Sequence, residues 1–405
     1  MSPDVVSAFA ASGAVRVMVE RRVLRFWRPL DTARGPLRER PIFLVTLRDE
    51  EGGVGIGEAA PLEAFGTESE VACAAALART ESGAVPVEFG VDLLPPNAWT
   101  TPAAAAAVEL AWLDLRARRE GKTVAGLLAA RLGAASPCPD VAVNALIGGA
   151  VPDDVAASAA AAVSAGFHTL KLKVGLPGAT FAAGLGVDRA RVEAARQAAP
   201  HAVLRLDANG AWADPAEALQ AILAFAPFDI AVLEQPLPPP RLSRAAQGAA
   251  SGSRRAGPTW ARRAAVLAGL RARSPIPLAA DESVVDDLSA RALLAAGAVE
   301  VLVLKPMRLG GLLPACAIAA EAAERGVRCV VTGFLGGAVE RAGALHLALA
   351  LEAVEGAAGA RAPGLAHGLA AGDWLVQDVA PGPMPVRGRM GPLIGGGHGV
   401  SVGVE

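Results

Sequence analysis

Tyrosine is absent from this 405-residue chain, and aromatic residues as a whole make up only 4% of it. The absence of tyrosine removes one common general acid and leaves lysines, carboxylates and five histidines for proton transfer. Cysteine is also scarce, and the four cysteines lie far apart, without the paired spacing of zinc or redox sites. We therefore expect reduced cysteines in the core and no cysteine-based centre.

Long apolar runs are missing too, although hydrophobic residues make up 53% of the chain. Charged or turn-forming residues interrupt each run well before the ~18 residues that a membrane span needs. Asp4 stands where a secretory signal peptide has positive charge, which favours a cytoplasmic protein. The 38 basic and 40 acidic residues nearly balance, so we expect neither nucleic acid nor a membrane as a partner.

The chain has two kinds of pattern, and the change comes near residue 135. Residues 14–60 alternate or run apolar around a Gly-rich turn, which predicts an antiparallel meander. A helical pattern at 101–122 follows it, with a proline in the first turn and basic residues near the end. Residues 1–135 are therefore predicted to form an α+β unit.

From residue 139 short apolar strands alternate with alanine-rich helices. Seven strand signals are clear and an eighth, at 360–368, is weaker. So many strand–helix units in one run predict an α/β protein with a TIM-like (β/α)8-type barrel over 136–370. A Pro-, Gly-, Ser- and Arg-rich stretch is interpreted as an insertion near 240–260. The tail, 371–405, has no helix pattern and is predicted to return to the first unit.

The segment TLKLKVG, residues 169–175, places Lys171 and Lys173 on one face of a predicted strand. Taken alone, this pattern is typical of an edge strand with two solvated lysines. Other predicted strands, however, also end in polar side chains: Asp207 with Asn209, Glu234, Asp281 and Lys305. Because the carboxyl ends of barrel strands converge on one mouth, we expect these side chains to meet there.

Three carboxylates without a nearby histidine or cysteine suit a hard cation, Mg²⁺ or Mn²⁺, in place of zinc. With that metal and three protonated lysines, the mouth has a net positive charge, which predicts a small anionic carboxylate substrate. The arrangement suits removal of a proton α to a carboxylate, with the metal stabilising the enediolate and a lysine acting as base.

In their order, the motifs K-x-K, D-x-N, E-Q-P, D-E-S and K-P resemble the muconate-lactonizing branch of the enolase superfamily, over nearly the whole chain. A lysine or histidine base working with Mg²⁺ is the established pattern there. The resemblance implies a modified barrel under a capping domain built from both termini. It implies Lys173 as general base and Lys305 as the cation on the opposite face. The neighbouring charge of Lys171 is expected, on electrostatic grounds, to help keep Lys173 neutral. The implied Mg²⁺ ligands are Asp207, Glu234 and Asp281.

Within this branch, GEAAPLEAFGTES, residues 57–69, resembles the lid loop of o-succinylbenzoate synthases, in which Phe65 would supply apolar surface. LVLKPMRLGG and APGLAHGLAAGDWL are similar to that family as well. The implied reaction is the hydro-lyase step of menaquinone biosynthesis, the syn dehydration of 2-succinyl-6-hydroxy-2,4-cyclohexadiene-1-carboxylate to o-succinylbenzoate. Asn144 and Asn209 are further candidates for contact with the substrate.

Two other interpretations stay open at this point. An N-succinylamino acid racemase or a dipeptide epimerase would use the same lysines, although PGLAHGLAAGD lacks the D-x-D that the epimerases carry near strand eight. A catalytically silent barrel acting as a binding protein is the interpretation from another class, and the complete set of lysines and acids argues against it. Two positions depart from the family pattern: Gly336 stands where an acid is expected and Glu340 where a glycine is expected.

Overall fold

The N-terminal part of the chain forms an antiparallel sheet. The computed structural model describes residues 15–32, 35–81, 100–176, 180–239, 257–357 and 365–403 of the protein. Its first three strands, β1 (Arg16–Thr32), β2 (Gly35–Arg48) and β3 (Val54–Ala59), pair in sequence order. The meander predicted from residues 14–60 is therefore present.

Three helices follow, and the second lies closely against the sheet. They are α1 (Glu70–Glu81), α2 (Pro102–Arg119) and α3 (Val124–Arg131). A Cβ atom at Gly57 would lie 1.8 Å from the carbonyl oxygen of Ala107, and one at Gly55 would lie 2.0 Å from that of Ala111. Glycine at these two positions of β3 lets the alanine-rich face of α2 approach the sheet.

Strands and helices alternate from residue 141 onward. The elements are β4 (Val141–Ala142), β5 (Ala145–Ile147), α4 (Pro152–Ser164), β6 (Thr169–Lys173), α5 (Phe181–Ala198), β7 (Val203–Asp207), α6 (Pro215–Phe225), β8 (Ile230–Glu234), α7 (Gly257–Arg271), β9 (Leu278–Ala280), α8 (Asp287–Ala295), β10 (Val301–Leu304), α9 (Pro306–Leu309), α10 (Leu312–Glu324), β11 (Arg328–Val331) and α11 (Ala338–Ala357). Strands β5 to β11 form one parallel sheet in chain order. Both faces of these strands are covered, which explains why they read as short apolar runs.

Residues 367 and 368 take the place of an eighth strand. Parallel bridges join Val143 to His367 and Thr332 to Gly368. The amide of Asn144 donates to the carbonyl oxygen of His367 at 3.0 Å, and the amide of Gly368 donates to that of Val331 at 2.9 Å. These bonds connect the two edges of the seven-stranded sheet. The structure thus confirms a modified (β/α)8-type barrel with an α+β capping domain.

The C-terminal tail contacts both parts of the molecule. Strand β12 (Leu375–Gln377) pairs with β1, whereas β13 (Arg389–Met390) pairs with β4 of the barrel. Further on, the amide of His398 donates to the Asp114 carboxylate in α2 at 2.8 Å. The predicted boundaries at residues 135 and 370 stay predictions.

Most of the predicted insertion, residues 240–256, lies outside the described residues, and its last residues form the start of α7. Among the helices that the structure describes, none combines the length and the apolar character needed to span a membrane.

Candidate active site

The register of three neighbouring strands brings opposite charges together. Lys171 of β6 is the neighbour of Arg205 in β7, and Lys173 is the neighbour of Asp207. Asp207 in turn lies beside Glu234 at the end of β8. Because side chains two residues apart in a strand share a face, all five point to the same side of the sheet.

The Lys171 ammonium is held between two of these carboxylates. Its Nζ lies 2.8 Å from Oδ2 of Asp207 and 2.8 Å from Oε1 of Glu234. Burial lowers the pKa of this amine, but the two carboxylates outweigh burial and raise it above its usual range. Arg205 completes the cluster with Nη2 at 3.4 Å from Glu234. Lys171 is therefore suited to be a fixed positive charge.

Asp281 is the centre of a second charged group. Lys305 Nζ lies 2.6 Å from Oδ2 of Asp281, and Nη2 of Arg308 lies 3.1 Å from Oδ1. Burial alone would raise the pKa of Asp281, but the charges of Lys305 and Arg308 hold it below its usual range. This carboxylate is therefore ionised at neutral pH.

Lys173 differs from the other two lysines of the site. Within the part of the chain that the structure describes, its ammonium forms no ion pair with a carboxylate. The backbone around it is nevertheless fixed, since Arg191 of α5 donates to the Lys173 carbonyl oxygen at 3.0 Å. Asp188, which pairs with Arg191, accepts from the amide of Gly175 at 2.7 Å. The backbone at the end of this strand is thus held in place by Arg191 and Asp188.

These groups open into a cavity of about 190 Å³. Of the nine residues predicted for the site, eight line it: Phe65, Asn144, Lys171, Lys173, Asp207, Asn209, Asp281 and Lys305. The ninth, Glu234, is 1% exposed and lies behind Lys171 and Arg205. Lysine occurs only four times in the whole chain, and three of these four lysines line the cavity. Nearly all other basic residues of the chain are arginines. Lysine at these three positions therefore indicates a requirement for an amine in place of a guanidinium.

The two asparagines and Phe65 occupy different walls. Asn209 donates to Oε1 of Glu282 at 3.0 Å, in a left-handed backbone conformation with φ of 45°. The Oδ1 atom of Asn144 is buried and has no hydrogen-bond partner among the described residues. Phe65 ends a short 3₁₀ turn before Gly66, whose φ is 98°. Asn144 thus places a buried oxygen without a hydrogen-bond partner among the described residues at the cavity.

Four further residues contribute to this site without having been predicted from the sequence: Arg205, Gln235, Glu282 and Arg308. Arg205 could have been found, because it lies two residues before Asp207 in the same predicted strand. The role of Gln235 could not have been found in this way, because its partners lie more than forty residues away in the chain. Its Oε1 accepts from the amides of Asp281 and Ser283 at 2.9 and 3.1 Å. Gln235 thereby fixes the Asp281 segment against the end of β8.

The donor set fits a divalent cation with oxygen ligands. Asp207, Glu234 and Asp281 are each at most 3% exposed, and each carboxylate contacts a positively charged side chain. The position between Asp207 and Glu234 thus already stabilises a cation, the Lys171 ammonium. Among the described residues, no three acidic, histidine or cysteine side chains converge tightly enough to hold a metal as they stand. In this arrangement the ammonium groups of Lys171 and Lys305 neutralise these carboxylates.

Comparisons with known proteins agree with this architecture. The family "Mandelate racemase / muconate lactonizing enzyme, N-terminal domain" matches residues 14–129, and "Enolase C-terminal domain-like" matches 154–253 and 257–405. The dipeptide epimerase from Enterococcus faecalis V583, solved with Mg and the dipeptide L-Leu-L-Tyr, superposes with a TM-score of 0.75. It is 25% identical, over 95% of this chain and 99% of the epimerase chain.

Two relatives differ in how much they share with this protein. An o-succinylbenzoate synthase from Mycobacterium ulcerans is 34% identical over 56% of this chain, and the match spans only 57% of the relative. An N-succinyl-L-Arg/Lys racemase from Bacillus cereus is 23% identical over 79% of both chains. Relatives of both kinds confirm the resemblance drawn from the strand-end motifs. The chain belongs to the enolase superfamily and is an enzyme of its lyase and racemase type.

Proposed function

We propose that this protein is an o-succinylbenzoate synthase, which dehydrates 2-succinyl-6-hydroxy-2,4-cyclohexadiene-1-carboxylate to o-succinylbenzoate. The observation that carries the proposal is the position of Lys173 and Lys305 around one cavity. Lys173 ends β6, Lys305 follows β10, and three strands of the sheet separate them. A planar substrate between them would expose one face to each amine.

In this proposal Lys173 is the general base. Its neutral amine removes the proton α to the substrate carboxylate, and the electron pair of that C–H bond becomes part of the aromatic ring. The bond to the hydroxyl group then breaks on the same face, and the Lys173 ammonium donates its proton so that water leaves. Unlike Lys171 and Lys305, Lys173 has no carboxylate partner among the described residues, which suits a group that must both accept and donate a proton.

Lys305 and Lys171 have supporting roles. The Lys305 ammonium lies across the cavity and stabilises negative charge that develops on the substrate carboxylate. Asp207, Glu234 and Asp281 would hold Mg²⁺, or Mn²⁺, which when bound supplies further positive charge for that carboxylate. Lys171 pairs with two of these carboxylates and adds positive charge beside Lys173.

Two further observations support the proposed synthase activity. Phe65 of the segment that resembles the synthase lid lines the cavity together with Leu62, Phe334, Leu335 and Trp374. These side chains provide apolar surface for a ring and an acyl chain. In addition, the mycobacterial synthase has the higher identity of the two relatives, although over a shorter match.

Racemization of N-succinylamino acids is the second candidate. The racemase from Bacillus cereus matches 79% of this chain and 79% of its own length, which is more than the synthase match covers. Lysines on separate strands also suit it, because one amine would remove the α proton and the other would return a proton to the opposite face. The two reactions share the proton abstraction and differ in the second step, which is loss of hydroxide in one and reprotonation of carbon in the other.

The test uses the purified full-length protein with Mg²⁺ and the cyclohexadiene substrate, and it follows aromatisation of the ring by absorbance. We expect rapid conversion by the wild type, near-complete loss in Lys173→Ala and no change in Lys122→Ala. Lys122 is the matched control because it is the one lysine outside the cavity, with a side chain 55% exposed. Absence of conversion by the wild type, together with racemization of N-succinyl amino acids, would replace the first proposal by the second.

A further inference from the structure

Arg40 in β2 joins two loops that come from different parts of the fold. It is 0% exposed, and its guanidinium donates to four backbone carbonyl oxygens. Nη1 donates to Pro61 at 2.6 Å and Nη2 to Ala60 at 2.7 Å, both in the lid loop, residues 57–69. Nε donates to Leu335 and Nη2 to Phe334, each at 3.2 Å, in the β11 loop, residues 332–337. One buried side chain therefore contacts the backbone of both loops.

Both loops provide apolar walls of the cavity. Leu62 and Phe65 line it from the lid loop, and Phe334 and Leu335 line it from the β11 loop. Leu335 has a φ of 58°, a left-handed conformation that costs a non-glycine residue about 1 kcal/mol or more. Such a conformation persists only where the surroundings hold it, and the bond from Arg40 to the Leu335 carbonyl oxygen is one such restraint.

Two buried glutamates lie close to Arg40 and hold the amides of the same loop. Glu340 accepts from the amide of Phe334 at 2.9 Å, and Glu58 accepts from that of Gly337 at 2.5 Å. Burial lowers the pKa of Arg40 to about 10, against the charges of Glu340 and Glu58, which raise it. The guanidinium therefore stays charged at neutral pH, and the β11 loop is held through both its carbonyl and its amide groups.

The departure at Gly336 and Glu340 belongs to this cluster. A Cβ atom at Gly336 would lie 2.8 Å from Cβ of Glu340 and 2.8 Å from Oε1 of Glu58. A side chain at 336 would thus collide with the Glu58 carboxylate and with the aliphatic part of Glu340, which both hold the loop. Glycine at 336 thus accommodates the Glu340 side chain, which projects from the first turn of α11.

We propose that Arg40 is a positioning residue of the active site, which ties the lid loop to the β11 loop and so fixes the separation of the apolar cavity walls. The group does not touch the reacting atoms. It acts through Phe65 and Leu335, whose side chains would contact the acyl part of the substrate. The identity of that substrate rests on the proposed function, whereas the coupling between the loops does not.

The test compares Arg40→Lys, Arg40→Met and the control Arg38→Met in the full-length protein. Arg38 is exposed and lies two residues earlier in the same strand. Lysine keeps the charge but donates from one nitrogen, so it cannot span both loops as the planar guanidinium does. The two readouts are steady-state kinetics on the active substrate and hydrogen exchange of the amides in residues 60–66 and 332–337, followed by mass spectrometry.

We expect kcat/KM to fall about 10- to 100-fold in Arg40→Lys, mainly through a higher KM. Amide exchange should rise in both segments together, and Arg38→Met should match the wild type in both readouts. A merely structural role would lower the folded fraction and hence kcat, but would leave KM unchanged. If Arg40→Met does not fold, Arg40→Lys decides the question.

Three outcomes would overturn the proposal: a wild-type KM in folded Arg40→Lys, unchanged exchange in both loops, or faster exchange in one loop only. Failure of the proposed function is distinguishable from these. A wild type that converts neither candidate substrate, with exchange rising in both loops of Arg40→Lys, would remove the proposed reaction and leave the coupling intact.

Discussion

Lys171 and Lys173 project from the same face of one strand, yet they have different electrostatic surroundings. Lys171 lies 2.8 Å from each of two carboxylates. Lys173 has no carboxylate partner among the described residues. A single strand thus presents one lysine that is held by two carboxylates and one that has no such partner among the described residues. This difference is the basis of the first prediction.

Replacing Lys173 by arginine should abolish turnover without unfolding the protein. Arginine keeps the positive charge and the length of the side chain, but its guanidinium does not lose a proton at accessible pH. We expect activity to fall by about 10³-fold, because a general base typically contributes about 10²- to 10⁴-fold to the reaction rate. Lys122→Arg is the control. Activity within tenfold of wild type in Lys173→Arg would show that another group is the base.

Replacing Asp281 by asparagine should weaken metal binding. The variant retains the Lys305 and Arg308 charges next to the site but loses the anion that balances them. We expect the affinity for Mn²⁺, measured by electron paramagnetic resonance, to fall about tenfold or more. Removal of divalent metal with a chelator should abolish wild-type activity, and Mg²⁺ should restore it. The exposed Asp153→Asn is the control, and unchanged Mn²⁺ affinity in Asp281→Asn would contradict the assignment.

Glu109 should make the stability of the protein fall as the pH rises. This buried carboxyl group of α2 accepts from the amides of Leu312 and Leu313 at the start of α10. Burial raises its pKa to about 8, although the two backbone hydrogen bonds lower it. The unfolded group titrates near 4.5, so between these values the folded protein holds a proton that the unfolded chain has lost. The contribution of Glu109 to the free energy of unfolding therefore decreases from about pH 5 to about pH 8.

Glu109→Gln tests this, because the amide has no proton to lose. Relative to wild type, the variant should gain about 1 to 3 kcal/mol of stability between about pH 6 and pH 8, measured by urea unfolding. The exposed Glu324→Gln, at the other end of α10, should follow the wild type. A variant that loses relative stability as the pH rises would mean that the folded protein prefers the ionised carboxylate.

Gly336→Ala should destabilise the protein even though it adds only one methyl group. The new Cβ would lie 2.8 Å from both Glu340 Cβ and Glu58 Oε1, so the loop or the carboxylates must shift. We expect a loss of about 1 to 3 kcal/mol in the free energy of unfolding. Gly186→Ala is the matched control, since no atom lies within 4 Å of a Cβ there and the position is in the exposed part of α5. That change should stabilise by about 0.5 to 1 kcal/mol. Equal effects of the two substitutions would rule out the packing argument.

The strand-end chemistry was readable from the sequence because it depends on local periodicity. Short apolar strands alternate with helices, so Asp207, Glu234 and Lys305 had to come at the carboxyl ends of parallel strands and hence at one mouth. The side-chain period of two also placed Lys171 and Lys173 on a common face. The eighth strand gave a weak signal for the same reason, since among the described residues of that segment His367 and Gly368 alone form bridges.

The sequence by itself therefore determined the barrel, the capping sheet, the family and the lysines and acids at the ends of the barrel strands. Only the tertiary structure decided which charges pair, and which groups hold the walls of the cavity. Arg40 and Leu335 are 295 residues apart in the chain, and no pattern within either segment indicates that they meet. Contacts of this kind depend on how the capping sheet is seated on the barrel, and that seating results from the packing of whole surfaces, which no local spacing encodes.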